Sequence, residues 1–463
     1  MSKSFFEYNI DYSLSYDVPI EVLKQYMILP IKQTSLHILV ATSNIDQNLD
    51  PIINIFHKPI KFLEVTQNEL EYEYRYLKSK QKLFQFASSA IENDISKSEN
   101  IFIINFLDII LDIAISNNIS DIHFESLKDT LVVRLRFDGV LNKFFKFDKK
   151  LYSMLSSVIK FLAHLDISQK RLPLNGHFSK DVNNITYDFR ISTMPTIYGE
   201  SIVLRILDNK NIQKKLDSVG FDSEHLDTIY SSLNLTQGLI LVTGPTGSGK
   251  TTTLYSMLNY LNKDSKKIIT IEDPVEYKMD GIMQVNLNPL IDLDYHTVLK
   301  NILRQDPDIL LIGEIRDSLS AKIAIRAALT GHLVIATLHT NNALETISRL
   351  KDLEVDPYLI ATTLKLVIAQ RLVRNLCNNC KKYNETTKYY DFIGCAKCNL
   401  TGYLNRSVVA EILQINKKLA ASITKEENIG LNHFQTLQDS AKILLENGII
   451  SYDEYLSKVG DEI

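Results

Sequence analysis

Residues 238–255 read GLILVTGPTGSGKTTTLY: an apolar run, a glycine-rich loop and a helix-forming segment. Leu239 to Val242 predict a buried strand, and the residues from Lys250 onward predict a helix. Between them Gly244 and Gly249 let the backbone turn tightly enough for successive N–H groups to face phosphate oxygens. Lys250 adds a point charge there, and the Thr251 hydroxyl can ligate Mg²⁺. Gly244, Pro245, Thr246, Gly247, Ser248, Gly249, Lys250, Thr251 and Thr252 are therefore the expected phosphate-binding set. A glycine-rich turn without a ligand is the bland alternative, and the flanking strand and helix argue against it.

The rest of a nucleotide site should lie downstream, and strand-ending carboxylates recur there. Ile268 to Ile271 run into Glu272, Asp273 and Glu276 in ITIEDPVEY. The segment ILLIGE ends on Glu314, and HLVIATLH is bracketed by His332 and His339. Continuous apolar runs are the mark of parallel strands covered on both faces, and such sheets bind ligands at their carboxyl ends. Hydrolysis needs one carboxylate to orient or deprotonate water and another to hold Mg²⁺, directly or through water. Glu272 and Glu314 are expected to fill these roles. Taken singly, Asp273 reads equally as a turn cap before Pro274, Glu276 as a solvated face, and either histidine as a satisfied polar residue. Their recurrence at successive strand ends favours a site.

These segments carry a family resemblance. GPTGSGKTTTLY, ITIEDPVEY, ILRQDPDILLIGEIRD and ALTGHLVIATLHTNNA resemble the Walker A, aspartate, Walker B and histidine boxes of the secretion ATPase superfamily. The match is to its type II secretion and type IV pilus assembly branch, and it runs from about Asn100 to the C-terminus. The resemblance implies an α/β chain with a RecA-like P-loop ATPase core, a preceding α+β domain, a small N-terminal α/β docking domain and a C-terminal four-cysteine zinc module. The expected boundaries are 1–80 for docking, 81–99 for a linker, 100–212 for the second domain and 213–463 for the ATPase domain. The last includes the cysteine module at 373–405 and a helical segment at 406–463.

Within 100–212, SDIHFES, VRLRFDGVL, KRLPLNGHF and DFRISTMPTIYGESIVLRIL correspond in order to the family's second domain. By that match Arg190 and Arg205 align with two arginines that reach the γ-phosphate across a domain or subunit boundary. Guanidinium suits this task, because its planar fork binds phosphate oxygens bidentately and stays charged. Arg134 and Arg136 alternate on one predicted strand face and are second candidates. The chain departs from the family pattern at Asn175, His177, Ser201 and Lys300, and Gly313 rather than Asp precedes Glu314, as is usual in this family.

All four cysteines fall at Cys377, Cys380, Cys395 and Cys398, a C-x₂-C-x₁₄-C-x₂-C pattern. Paired knuckles of this kind predict a closed, structural Zn²⁺ site with four thiolate ligands. The module resembles the tetracysteine element of assembly ATPases.

Before the resemblance begins, IEVLKQYMI, LPIK, LHILVATSN, PIKFLEV and TQNELEYEYRYL predict alternating short helices and strands. This stretch resembles half of the domain that assembly ATPases dock on an inner-membrane platform protein. SSAIENDISKSEN has few large apolar residues and reads as a linker. At 463 residues the chain is long for one domain, and a net charge of −4 gives no global reason to bind nucleic acid. The N-terminus lacks the apolar core of a secretory signal. IFIINFLDIILDIAI is broken by Asp108 and Asp112 and predicts an amphipathic helix rather than a membrane span.

The resemblance then implies the partners and setting. These are a homo-oligomer, a hexamer in the family, using ATP, Mg²⁺ and Zn²⁺, cytoplasmic and attached to the inner membrane through platform and cytoplasmic-domain proteins of a secretion or pilus apparatus, with no direct nucleic acid. A non-hydrolysing nucleotide-gated scaffold and a retraction motor are the alternatives. Retention of both glutamates, both histidines and both arginines opposes the first, while the cysteines and extra N-terminal domain oppose the second.

Overall fold

A computed structural model describes residues 8–46, 56, 58–92, 101–182, 184–207, 214–288, 291, 293–427 and 435–460. Packing sorts the chain into two units.

The first unit begins with helix α1 (Ile20–Gln25) and strands β1 (Ile28–Gln33), β2 (Ile38–Thr42) and β3 (Ile60–Glu64), in the segments where the periodicity placed them. β1 and β2 pair antiparallel, β2 and β3 parallel. Helix α2 (Gln67–Glu92) follows, and it runs on through Ser88–Glu92, so the start of the expected linker is helical. Leu83, Ala87 and Ala90 recur at helical spacing on its buried face, which supplies the packing that the polar composition hid. Residues 93–100 of that linker lie outside the described residues.

Helix α3 (Ile101–Ser116) is the expected amphipathic helix, burying Ile103, Phe106, Leu107, Ile110 and Leu111. Strands β4 (Asp121–Ser126), β5 (Thr130–Phe137) and β6 (Val140–Asp148), helix α4 (Lys150–Leu162), and strands β7 (Leu174–Val182), β8 (Ile185–Thr196) and β9 (Gly199–Leu207) complete the unit. The six strands form an antiparallel sheet ordered β6-β5-β4-β9-β8-β7. One apolar cluster extends from Ile10 to Leu204, so the expected division between 1–80 and 100–212 is not a break in the core. No helix among the described residues is long and apolar enough to cross a membrane.

The second unit holds helix α5 (Ser223–Leu233), strand β10 (Gly238–Thr243), helix α6 (Lys250–Leu261), strands β11 (Ile268–Glu272) and β12 (Met283–Asn286), helix α7 (Tyr295–Ile302), strand β13 (Ile309–Ile312), helix α8 (Ser318–Leu329), strand β14 (Leu333–Leu338), helices α9 (Ala343–Asp352) and α10 (Pro357–Thr363) and strand β15 (Leu364–Leu376). After a cysteine-bearing excursion with strands β16 (Lys381–Asn384) and β17 (Tyr389–Phe392), strand β18 (Tyr403–Gln414) returns, followed by helices α11 (Lys417–Lys425), α12 (Leu437–Glu446) and α13 (Tyr452–Val459). The sheet order is β12-β11-β13-β14-β10-β15-β18.

β10 runs parallel to both β14 and β15, and β11 runs parallel to β12 and β13. The chain therefore leaves β10 for β11, returns through β13 to β14, and crosses to β15 on the far side. That reversal of direction opens a crevice at the carboxyl ends of the strands beside β10. The uninterrupted apolar runs have a direct cause: Leu239 and Leu241 enter the core on one face, Ile240 and Val242 the core on the other.

The cysteine excursion differs from expectation. It is inserted between two strands of the second unit's sheet, yet residues Leu376–Lys382 and Asp391–Leu404 pack with the first unit.

Candidate active site

β10 is buried along its whole length and delivers the chain to Gly244. Gly244 has φ +143°, and a Cβ there would lie 2.5 Å from the Gln370 carbonyl oxygen and 2.6 Å from Ser248 Oγ. Only glycine fits. Gly249, at φ +91°, precedes α6 and brings no side chain to cap it, so the helix's first N–H groups are left for an anion. The loop is stapled from the neighbouring strand by Gln370, whose Nε2 donates to the Ser248 carbonyl at 2.8 Å while its Oε1 accepts from Thr253 Oγ1 at 2.9 Å.

Lys250 Nζ donates to the loop carbonyls of Gly244 at 2.6 Å and Pro245 at 3.0 Å. Burial, together with the Arg371 guanidinium, lowers its pKa from 10.5 to about 8. A cavity of about 180 Å³ lies above it, lined by Lys250, Thr251, Tyr255, Glu272, Asp273, Glu276, Glu314, Arg316 and His339 among others. The Lys250 ammonium, the Thr251 hydroxyl and four carboxylates lining one space are a set that fits a nucleoside triphosphate with Mg²⁺.

The carboxylates arrive there through strand register. Ile271 pairs with Ile312 and Ile312 with Ala336, so Glu272, Gly313 and Thr337 sit side by side one step beyond. Thr337 Oγ1 donates to the Gly313 carbonyl at 2.5 Å, and the Gly313 N–H donates to the Ile271 carbonyl at 2.8 Å. Glu314 follows directly, its N–H donating to Tyr295 Oη at 3.2 Å. Its Oε2 lies 3.4 Å from His339 Nε2, and its Oε1 is ion-paired with Arg316 Nε. Arg316 Nη1 also stands 3.7 Å from Asp273 Oδ2. Burial, then Lys250 and Arg316, hold the His339 imidazole below the usual histidine range, so it is neutral near pH 7.

His332 does not join this group. It precedes β14 at the amino end of the sheet, about 23 Å along the strand from His339 at ~3.3 Å per residue. Its Nδ1 is hydrogen-bonded to the Ala327 carbonyl at 2.9 Å, closing the turn after α8. The two histidines bracket a strand, and a strand separates its ends.

Arg190 and Arg205 lie on the first unit and are direct cross-strand neighbours in β8 and β9, on one sheet face. His177 pairs with Arg190 on one side and Asp121 with Arg205 on the other. Asp121 holds Arg205 Nε at 3.0 Å and Arg136 Nε at 3.3 Å, while Arg134 pairs with Glu125 at 3.1 Å. Arg205 remains 65 % exposed, so its guanidinium is available to a further anion.

The four cysteine sulfurs all lie within 4.8 Å of one another. Cys377 and Cys395 are 3.9 Å apart, Cys380 and Cys398 3.8 Å, and Cys395 and Cys398 3.7 Å. A tetrahedral Zn²⁺ with Zn–S of about 2.3 Å has S···S edges of about 3.8 Å. The residues therefore fit zinc, and they lie too far apart for disulfides. Backbone N–H groups of Cys395 and Gly402 point at Cys398 Sγ from 3.3 Å, as donors to a thiolate would. The knuckles rest on α2: Arg75 donates to the Ala396 carbonyl at 2.8 Å, and Tyr76 to Asn399 Oδ1 at 2.7 Å.

Residues 96–457 match the family described as type II/IV secretion system protein. The chain belongs to this family. It is 39 % identical over 396 residues to the type II secretion system ATPase E of Vibrio cholerae, covering 81 % of this chain and 79 % of that one. It is likewise 39 % identical over 391 residues to the type IV pilus assembly ATPase PilB of Pseudomonas aeruginosa, covering 79 % and 69 %. Among solved structures it resembles the pilus retraction motor PilT with bound ADP, at TM-score 0.54 and 25 % identity over 76 % of this chain and 96 % of that one. The Legionella pneumophila ATPase DotB shares the fold at TM-score 0.60 and 22 % identity, over 76 % and 94 %. The chain is accordingly an ATPase of the secretion and pilus assembly kind, with the mixed α/β fold of that family.

Sequence reading missed Tyr255, Tyr295, Gln284, Arg316 and Gln370. Two left a signal: Tyr255 stands one helical turn after Thr251, and Arg316 two residues after Glu314. Gln370 and Gln284 come from neighbouring strands, and only the sheet brings them in.

Proposed function

We propose that this chain works as a hexameric, Mg-ATP-driven motor that assembles a type II secretion pseudopilus, a type IV pilus or a competence pseudopilus. It acts at the cytoplasmic face of the inner membrane through platform and cytoplasmic-domain partners. The observation that carries the reading is the convergence of Lys250, Thr251, Glu272 and Glu314 at the carboxyl edge of one parallel sheet. Lys250 and the α6 N-terminus bind the phosphates. Thr251 and Glu314 would hold Mg²⁺, which screens phosphate charge when bound. Glu272 orients the attacking water, and His339 supports Glu314. Zn²⁺ in the four-thiolate knuckle is structural, since no coordination position is left open.

Arg190 and Arg205 are assigned to the γ-phosphate of a neighbouring subunit, an assignment supported by the family resemblance and by their shared, accessible sheet face. The test mixes two inactive proteins, Arg205→Ala and Lys250→Ala. In mixed rings some sites retain both groups, so ATP turnover should recover in part. No recovery despite demonstrated mixed assembly would refute a site shared between chains.

A further inference from the structure

Glu272 is only 6 % exposed, and its carboxylate receives side-chain donors from three elements. Thr270 Oγ1 at 2.6 Å and Gln284 Nε2 at 3.3 Å reach Oε1, and Tyr255 Oη at 2.5 Å reaches Oε2. Two of these donors are oriented from outside the cavity. The Tyr277 N–H donates to Tyr255 Oη at 3.3 Å, which leaves the phenol's own proton for Glu272. The Met279 N–H donates to Gln284 Oε1 at 2.7 Å, and Gln284 Nε2 also donates to the Tyr277 carbonyl at 2.8 Å. Turning this amide over would lose both bonds, so its nitrogen faces the carboxylate. Burial, then the Glu272 charge, raise the Tyr255 pKa, and the phenol stays a donor at any working pH.

A carboxylate offers about four acceptor positions. Two on Oε1 and one on Oε2 are taken, so the remaining position is on Oε2.

We propose that Tyr255 and Gln284 are positioning residues for hydrolysis, holding Glu272 so that its remaining Oε2 acceptor position meets the attacking water. This rests on the reading of Glu272 as the water-orienting carboxylate. Three donors on one side chain leave it a single rotamer, and orientation to a fraction of an ångström is worth a large factor in rate. The segment Tyr277–Met279 sets the clamp without touching the carboxylate itself. Tyr255 shares its helix face with Thr251, four residues earlier, so one helix aligns both the phosphate end of the cavity and its carboxylate wall.

The test is a double-mutant cycle on the full chain, reading single-turnover hydrolysis of Mg-ATP alongside nucleotide affinity. Glu272→Gln should slow turnover by ~10²-fold or more. Tyr255→Phe should slow it about tenfold with nucleotide affinity unchanged, a loss of orientation rather than of binding. Gln284→Leu should behave in the same way and guards against a packing effect peculiar to the ring. In the Glu272→Gln background, Tyr255→Phe should change the residual rate by less than about twofold, because its target is gone. Equal factors in both backgrounds would mean a merely structural ring and would overturn the clamp alone. Near wild-type turnover in Glu272→Gln would instead overturn the water-orienting reading on which the clamp rests.

Discussion

Replacing Gly313 by alanine should damage the site and the fold together. The added Cβ would stand 2.9 Å from the Ile271 carbonyl oxygen and 3.0 Å from Tyr295 Oη. Comfortable contact lies near ~3.5 Å, so β11 and β13 must part by roughly 0.5 Å at their carboxyl ends. Neither neighbour yields freely: the Ile271 carbonyl accepts the Gly313 N–H at 2.8 Å, and Tyr295 Oη accepts the Glu314 N–H at 3.2 Å. Overpacking of this kind costs ~1–3 kcal/mol. In a unit of roughly 200 residues that lowers Tm by about 2–12 °C. Glu314 is the next residue, and a misplacement near 1 Å costs ~10²-fold in rate, so half that displacement predicts about tenfold slower turnover. Scanning calorimetry and steady-state ATP turnover read the two effects. A Gly313→Ala protein with wild-type melting and wild-type turnover would refute the steric argument, and a lowered Tm with unchanged turnover would refute its link to Glu314.

Nucleotide binding should take up a proton in mild alkali. Because the Lys250 pKa is lowered from 10.5 to about 8, the unfolded chain keeps this proton between those values while the folded chain has lost it. The penalty for burying the charged amine is full below pH 8 and fades as pH rises through that window. Phosphate restores the ammonium, so titration calorimetry near pH 9, in buffers of different ionisation enthalpy, should show uptake approaching one proton per ATP bound; no buffer dependence would refute it. For the metal, protein purified under reducing conditions should carry close to one zinc per chain. Chelation should raise hydrogen exchange around Cys377–Leu404 before it affects β10 and α6, since metal binding and folding of such a module are coupled. An ordered, zinc-free module would refute this.

Much of the second unit was legible along the chain. Strands β10, β11, β13 and β14 read as apolar runs because both of their faces are covered, and each run leads into the candidate site: Gly244 after β10, Glu272 at the end of β11, Glu314 just beyond β13 and His339 after β14. The phosphate loop was legible because its chemistry is backbone chemistry, set by glycines at fixed spacing. The cysteines were legible because a tetrahedral site needs two knuckles.

What lay between strands was not. His332 and His339 look symmetrical about β14, yet the strand carries one to the cavity and the other to the far edge of the sheet. Gln370 staples the phosphate loop from 117 residues beyond Thr253, and Gln284 reaches Glu272 from an adjacent strand. The C-terminal end of α2 read as part of a linker, although its buried face continues to Ala90, and the cysteine knuckles pack with the first unit although strands of the second unit bracket them in the chain. Local spacing by itself pointed to the strands, the glycine-rich loop and the clustering of the four cysteines, because strand burial, glycine torsions and paired knuckles act over a few residues. Which side chains meet across the site was decided only by tertiary structure, because strand register and burial join residues that the chain keeps far apart.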